Sequence, residues 1–561
     1  MTGAVSGAAA VDSQVGLVRR SRAAAPARSW RLPLIPQLTG GRTPMRNAGL
    51  GGWPARRAQM TPDRVAFVFE DRPFTYAEVH ERTARLASRL RTAGVGAGDR
   101  VAFLGRNHVA FVETMFASHL LGAIFVPLNF RLAAPEIGYM LDHSGATVLV
   151  YAPECAEVVR ALPPATAASL RQVVALGAPG PGERAYETWL AEGDPTPIDT
   201  PVRLDDTALI LYTSGTTGRP KGAMLTHGNL VWNCFNLLLG VDVASDEVTL
   251  ISAPLFHVAA LNQTLLPTFL KGGCSVIMPS WDVDECYDLM EKHRVTWMFG
   301  VTTMFAAFAR SPRWAGADLS SLRTLMSGGA SIPAALIRTY QERGLVFCQG
   351  YGLTETAPGA TFLEASQSVR KVGSAGVPVF FADVRVVRPD GTDVAPGQPG
   401  EVLIQGPNVT PGYWRNPEAT AAAFSDGGWF RSGDVAVLDE DGHLYVVDRV
   451  KDMYISGGEN VYPAEVEAAI FEHPAVAEVA VLGVPDATWG EVGRAFVVLR
   501  PGTSVTADEL REFLRPRLAK YKLPVYFDII DDLPKTGSGK IQKLQLRRFP
   551  LPDAGTSTSS P

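Results

Sequence analysis

The amino-acid sequence predicts an α/β protein, with a large N-terminal domain of stacked, mostly parallel sheets, a β-rich subdomain and a small α+β domain toward the C-terminal end. Three observations predict this. From Val65 onward, strand-like runs alternate with helix-like ones, and such alternation builds parallel sheets covered by helices on both faces. After about residue 375, Asp-Gly turns separate short β-rich runs, the mark of antiparallel hairpins. Beyond Arg449, a charged, strand-poor joint leads into a compact mixed pattern.

Taken in order, VAFVFE is a strand with a turn at Asp71-Arg72-Pro73. The segment TYAEVHERTARLASRLRTAG has apolar positions at three-and-four spacing and stops at Gly94, so it reads as a helix. VAFLG, a helix through 111–121 and AIFVPLN repeat the pattern, and ATVLVYA and QVVAL add short β-rich runs. VRVVRPDGT, EVLIQG and VAVLDEDGHLYVVDR read as hairpins. In the last part, a helix is predicted over 463–471, strands at VAEVAVLGV and RAFVVLR, and a helix over 507–518. These readings place an N-terminal domain over 63–449 and a C-terminal one over 450–548.

A chain of 561 residues is long enough for two or three domains. Its 52 basic and 57 acidic residues give a net charge of −5, too little positive charge for nucleic acid to be a main partner. Five cysteines (Cys155, Cys234, Cys274, Cys286, Cys348) show no C-x-x-C spacing, which argues against a disulfide framework or zinc site and for the cytoplasm. The longest apolar run, at 114–128, is broken by His119 and falls short of the roughly 20 residues a membrane span needs. It reads as a buried helix. Residues 1–62 hold nine arginines, no lysine and one acid, Asp12. They read as a disordered extension, with a transit peptide or a beginning nearer Met45 or Met60 as alternatives. Residues 549–561 read as a disordered tail.

The chemistry is concentrated in Leu211-Tyr-Thr-Ser-Gly-Thr-Thr-Gly-Arg-Pro-Lys-Gly222, between a strand-like ALILY and a helix beginning near His227. Gly215, Gly218 and Gly222 let the backbone approach an anion; Thr213, Ser214, Thr216 and Thr217 offer hydroxyl donors and Lys221 a point charge. A flexible linker is the alternative reading. A Walker A loop is not, because Pro220 stands where its second glycine belongs.

This segment resembles the phosphate loop of the adenylate-forming superfamily, which takes in acyl-CoA synthetases, firefly-type luciferases and peptide-synthetase adenylation domains. Four further segments resemble that family's motifs in the same order. They are Gly350-Tyr-Gly-Leu-Thr-Glu-Thr356, Gly428-Trp-Phe-Arg-Ser-Gly-Asp434, Asp448-Arg-Val-Lys-Asp452 running into Ser456-Gly-Gly-Glu-Asn-Val-Tyr-Pro463, and Leu533-Pro-Lys-Thr-Gly-Ser-Gly-Lys-Ile541. The resemblance runs from about residue 65 to 545 and is nearest to bacterial fatty-acid or aryl-acid CoA ligases.

It implies an ATP- and Mg²⁺-dependent enzyme that converts a carboxylic acid to an acyl-adenylate and then to a thioester of coenzyme A. Adenylation brings two anions together, so the site needs cations and phosphate donors. By resemblance, Thr354 contacts phosphate and Glu355 holds Mg²⁺, a hard ion suited to a carboxylate. Tyr351 stacks on adenine beside Gly352, with Gly328, Gly329 and Ala330 as the facing wall. Asp434 accepts hydrogen bonds from the ribose hydroxyls and Arg449 adds a second contact. Lys540 is the mobile catalytic lysine, Lys451 the hinge about which the C-terminal domain turns, and Gly457 and Gly458 line the pantetheine passage. His257, in Pro254-Leu-Phe-His257, is either an aromatic gate or an ordinary core histidine. Phe299-Gly300-Val301 and Met326-Ser327 line the acyl site, which admits an extended or a flat acid. Transfer of the activated group to a separate carrier-protein thiol, an amine or another nucleophile is the alternative function, a non-catalytic nucleotide sensor a further one, and a homodimer is left open.

Overall fold

A computed structural model describes residues 47–213, 220–329, 332, 334–345, 347–449, 452–456, 459–486, 488–535 and 541–550. Two large sheets take their strands from between Val65 and Tyr413. In one, the strands Val65–Phe69, Cys274–Ile277, Val248–Ile251, Trp297–Gly300, Thr324–Gly328 and Phe347–Gly352 run parallel in that spatial order. Antiparallel strands close both of its edges. In the other, Thr207–Thr213 begins a parallel run through Ile124–Leu128, Arg100–Leu104, Val148–Tyr151 and Gln172–Ala175. Lys221–Thr226 and Gly412–Tyr413 add antiparallel strands on its far side.

The helix Val109–Leu120 joins the two sheets, and nearly all its residues are buried. Phe111 packs on Phe103 and Phe125 of one sheet, at centroid distances of 5.2 and 5.0 Å. Phe116 packs on Phe269 at 4.9 Å, and Phe269 on Phe67 of the other sheet at 5.8 Å. A helix that is apolar all round is one buried on all sides. Its one carboxylate, Glu113, is held by Arg82 Nε at 2.5 Å and by the Tyr186 hydroxyl at 2.6 Å, so the charge is compensated.

The antiparallel strands Asp383–Val387, Pro399–Gln405, Trp429–Leu438 and Leu444–Arg449 form the β-rich subdomain. The hairpin Val476–Asp486 with Gly490–Leu499, the parallel strand Tyr526–Ile529 and the helices Pro463–Phe471 and Ala507–Leu514 form the last part. The described residues belong to one compact unit, and none of their helices is long and apolar enough to cross a membrane.

Four expectations need correction. The extension placed at 1–62 does not reach that far, because Trp53–Met60 is a helix and Leu50 and Trp53 are buried. The apolar run at 114–128 is the end of one helix followed by the strand Ile124–Leu128. The joint after Arg449 carries two short antiparallel strands, Tyr454–Ser456 and Glu459–Val461. Phe549 and Pro550 are not tail, since their carbonyls accept from the Arg494 guanidinium at 3.0 and 2.9 Å. Residues 551–561 lie outside the described residues.

Two neutral histidines lie under the strand Thr207–Thr213. His119 Nε2 is 3.0 Å from the Ala208 carbonyl, and its ring meets that of His227 edge-on at 4.8 Å. His227 Nδ1 accepts from the Leu50 amide at 3.3 Å. Burial depresses both, His227 to about 4 and His119 well below its ordinary range. The unfolded chain protonates both near pH 6.5 while the folded chain does not. Stability is therefore fully present above that pH and falls as pH drops toward 4, by at most about 1.4 kcal/mol per pH unit for each histidine. Urea midpoints at pH 7 and pH 5 check this, and His227→Gln is expected to flatten the slope.

Candidate functional site

Thr213 and Lys221 are register partners on adjacent antiparallel strands, so the hydroxyl-rich segment is the connection between them. Ser214, Gly215, Thr216, Thr217 and Gly218 lie outside the described residues. What is described is the base of that connection. The Lys221 ammonium stands 5.2 Å from the centroid of the Tyr413 ring, an attractive arrangement for a cation.

Thr354 and Glu355 occupy a single 3₁₀ turn, Thr354–Thr356, directly after the strand Phe347–Gly352. The chain then doubles back so closely that a Cβ on Gly352 would sit inside the carbonyl oxygen of Pro358. Only glycine fits there. Buried amide side chains hold the turn. Asn408 Nδ2 donates to the Thr356 and Gly359 carbonyls at 2.7 and 2.6 Å, and Asn262 Nδ2 donates to the Ala357 carbonyl at 2.6 Å. Asn233 links the two sides, accepting from the Gly359 amide at 3.0 Å and donating to the Asn262 carbonyl at 2.8 Å. Asn262 sits in a π-helical turn, Ala260–Leu265, a distortion often found at functional sites.

Glu355 is 8% exposed. The Thr410 amide donates to its carbonyl at 2.7 Å, and the Tyr413 hydroxyl to its carboxylate at 2.9 Å. Burial and then the Glu355 charge push the Tyr413 hydroxyl well above its ordinary range, so it remains a donor. A buried carboxylate among oxygen-bearing neighbours suits Mg²⁺ carried by a polyphosphate. An acidic cluster elsewhere among the described residues, Asp439, Asp441 and His443, is bridged by Lys371 Nζ at 2.7 and 2.6 Å from its two carboxylates. An ammonium holds that cluster in place of a metal.

The Tyr351 hydroxyl donates to Asp434 Oδ2 at 2.7 Å, and Asp434 is nearly buried. Arg449 is the register partner of Asp434 on the next strand; its side chain lies outside the described residues. Gln349 is two positions before Tyr351 on the same strand, hence on the same face. It is buried, and its Nε2 has no partner among the described residues. Gly328 and Gly350 are register partners on adjacent strands, and Gly329 follows in a left-handed conformation. Ala330 lies outside the described residues.

His257 ends the turn that starts at Pro254, its amide bonded to the Pro254 carbonyl at 3.1 Å and its ring 4.4 Å from that of Phe256. Lys451, Gly457, Gly458 and Lys540 lie outside the described residues. Their flanks are described. Asp448 Oδ2 accepts from the Ala464 amide at 2.8 Å across residues 450–451, Ser456 pairs with Glu459, and Lys535 bridges to Ile541.

The structure thus joins Tyr351 to Asp434, and through Tyr413 joins Glu355 to Lys221. The sequence reading missed Tyr413, Gln349 and the three asparagines. Only the Gly412-Tyr413 pair following Pro411 offered a signal, as a turn.

The profile of AMP-binding enzymes matches residues 54–414, and that of the AMP-binding enzyme C-terminal domain matches residues 465–540. A feruloyl-CoA synthase of Amycolatopsis sp. is 54% identical, covering 90% of this chain and 99% of its own. An indoleacetate–CoA ligase of Aromatoleum aromaticum is 41% identical, covering 89% and 98%. The solved structure of o-succinylbenzoate coenzyme A synthetase from Bacillus subtilis, in complex with ATP and magnesium ion, superposes with a TM-score of 0.79 at 34% identity, covering 88% of this chain and 99% of that one. The chain belongs to the AMP-binding enzyme family. Within it, the protein is an AMP-forming ligase that uses ATP and Mg²⁺ to join a carboxylic acid to coenzyme A.

Gly352→Ala is expected to destabilise the fold by about 1–3 kcal/mol, the range for an overpacked site, and to weaken ATP binding. Thermal denaturation and calorimetric titration with ATP check both, and an unaltered variant would contradict the close approach at Pro358.

Proposed function

We propose that the acid is a flat, ferulate-like aryl acid. The observation that carries this reading is the 54% identity to feruloyl-CoA synthase over nearly the whole of both chains. The strand pair Gly328 and Gly350 supports it, being a strip without side chains. A Cβ on Gly350 would lie 3.2 Å from Met326 Cε, and one on Gly328 would lie 2.9 Å from the Gly350 carbonyl oxygen and 3.7 Å from the Phe299 ring. A planar ring can lie on such a strip between Phe299 and Met326, and His257 closes the acyl end as a gate.

In the first half-reaction, a carboxylate oxygen of the acid attacks the α-phosphorus of ATP and the bond to pyrophosphate breaks. Thr213, Ser214, Gly215, Thr216, Thr217, Gly218 and Lys221 cradle the phosphates with Thr354, and Glu355 holds Mg²⁺, which offsets phosphate charge. Tyr351, Gly352, Gly329 and Ala330 enclose adenine, while Asp434 and Arg449 hold the ribose. Lys540 neutralises charge at the reacting centre. In the second, the sulfur of CoA attacks the acyl carbon and AMP leaves. The domain beginning at residue 450 turns about Lys451 between the two, and Gly457 and Gly458 admit the pantetheine arm. The five free cysteines suit the cytoplasm.

Purified protein with ATP, Mg²⁺ and CoA is expected to convert ferulate with kcat/KM about a hundredfold above that for a fatty acid. Preference for the fatty acid would remove the aryl assignment. A thioester formed with CoA alone would show that no separate carrier protein is needed, and gel filtration reports whether the enzyme is a homodimer. Gly350→Ala, whose added methyl meets the flexible Met326 tip at 3.2 Å and the Thr361 carbonyl oxygen at 3.4 Å, is expected to lower kcat/KM for ferulate about tenfold with little change in Tm. Lys540→Ala is expected to abolish pyrophosphate release while ATP still binds; unchanged release would refute the role of Lys540.

A further inference from the structure

Tyr413 lies on a two-residue strand, Gly412–Tyr413, paired antiparallel with Lys221–Thr226, so that Tyr413 stands opposite Ala223. Its side chain touches two groups of opposite charge from separate motifs. The hydroxyl donates to Glu355 Oε1 at 2.9 Å, and the ring face lies 5.2 Å from the Lys221 ammonium. The same segment grips the backbone on both sides. The Thr410 amide holds the Glu355 carbonyl at 2.7 Å, and the Thr410 hydroxyl donates to the Met224 carbonyl at 2.5 Å.

We propose that Tyr413 is a positioning residue that sets the Glu355 carboxylate for Mg²⁺ and the Lys221 ammonium for phosphate at one spacing. This rests on the reading of Glu355 as the metal-holding residue and Lys221 as a phosphate contact. The hydroxyl binds one oxygen of Glu355 and so helps fix the plane in which the carboxylate is presented. The ring gives the long lysine side chain a surface to lie against without neutralising it, as an acid there would. A phenol is the one side chain that does both, since phenylalanine lacks the donor and serine or threonine lacks the ring. The strand pairing makes the arrangement rigid, because moving Tyr413 means breaking its ladder to the strand that begins with Lys221.

The test uses the full chain with Tyr413→Phe, Tyr413→Leu and Glu355→Gln, and reads ATP binding by calorimetry without any acid present, so that no reaction occurs. ATP affinity is measured across free Mg²⁺ concentrations and again in EDTA. Tyr413→Phe is expected to raise the Mg²⁺ needed for half-maximal enhancement about tenfold, with affinity in EDTA and Tm nearly unchanged. Tyr413→Leu is expected to weaken binding in EDTA as well, about threefold, as Lys221 loses its platform. If Glu355→Gln shifts the Mg²⁺ requirement and Tyr413→Phe does not, the positioning role is overturned while the metal reading stands. If neither shifts it, the metal reading fails first. A lower Tm with an unmoved Mg²⁺ requirement would reduce Tyr413 to packing. Should Tyr413→Leu not fold, Tyr413→Phe decides alone.

Discussion

A carboxylate taken almost wholly out of water has to be surrounded by donors and cations, or it will protonate or unfold its surroundings. Glu355, at 8% exposure, imposes that constraint on the rest of this site. Its turn is only one 3₁₀ repeat long, too short to define a conformation by its own hydrogen bonds. The definition comes from outside, through the amide of Thr410, the hydroxyl of Tyr413 and three buried asparagines that bond to the backbone at 356–359. Each bond to a neutral group contributes about 1 kcal/mol net. Leaving a partner unsatisfied costs more, so the set holds together or fails together.

The two large sheets explain why these groups can meet. Glu355 follows the last parallel strand of one sheet, and Lys221 begins an antiparallel strand of the other. The apolar helix Val109–Leu120 packs on one sheet directly and reaches the other through Phe269, and the segment Thr410–Tyr413 reaches from the Glu355 turn to the Lys221 strand. A cation and a carboxylate placed on separate sheets keep their spacing better than two residues of one loop, which suits a reaction whose barrier is mainly electrostatic. The Tyr351–Asp434 bond ties in the β-rich subdomain in the same way.

Much of this was legible in the sequence because the signals were local. Strand–helix alternation gave the parallel sheets, Asp-Gly turns marked the hairpins, and the helix Pro463–Phe471 lies where its spacing placed it. Tyr351 and Asp434, 83 positions apart, were assigned to one nucleotide on motif alone and share a hydrogen bond. What went unread was of two kinds. Trp53–Met60 hid in an arginine-rich stretch whose composition outweighed the two residues it buries, Trp53 and Pro54. The strands after Arg449 are three residues each, too short to show alternation.

The second kind matters more for the chemistry. Asn233, Asn262 and Asn408 look in sequence like ordinary residues of a helix, an apolar segment and a loop. An asparagine has no preferred place in a helix interior, and nothing local marks one as buried. Its value here lies in carrying two donors and an acceptor on a short, stiff arm, so that it can bind backbone groups that a turn has left unpaired. Those groups exist only because Gly352 lets the chain fold back against Pro358. The need for the asparagines is thus created by tertiary structure and cannot precede it. The residues that touch substrate announce themselves by chemistry, whereas those that hold them in place are recognisable only once the backbone they satisfy is known.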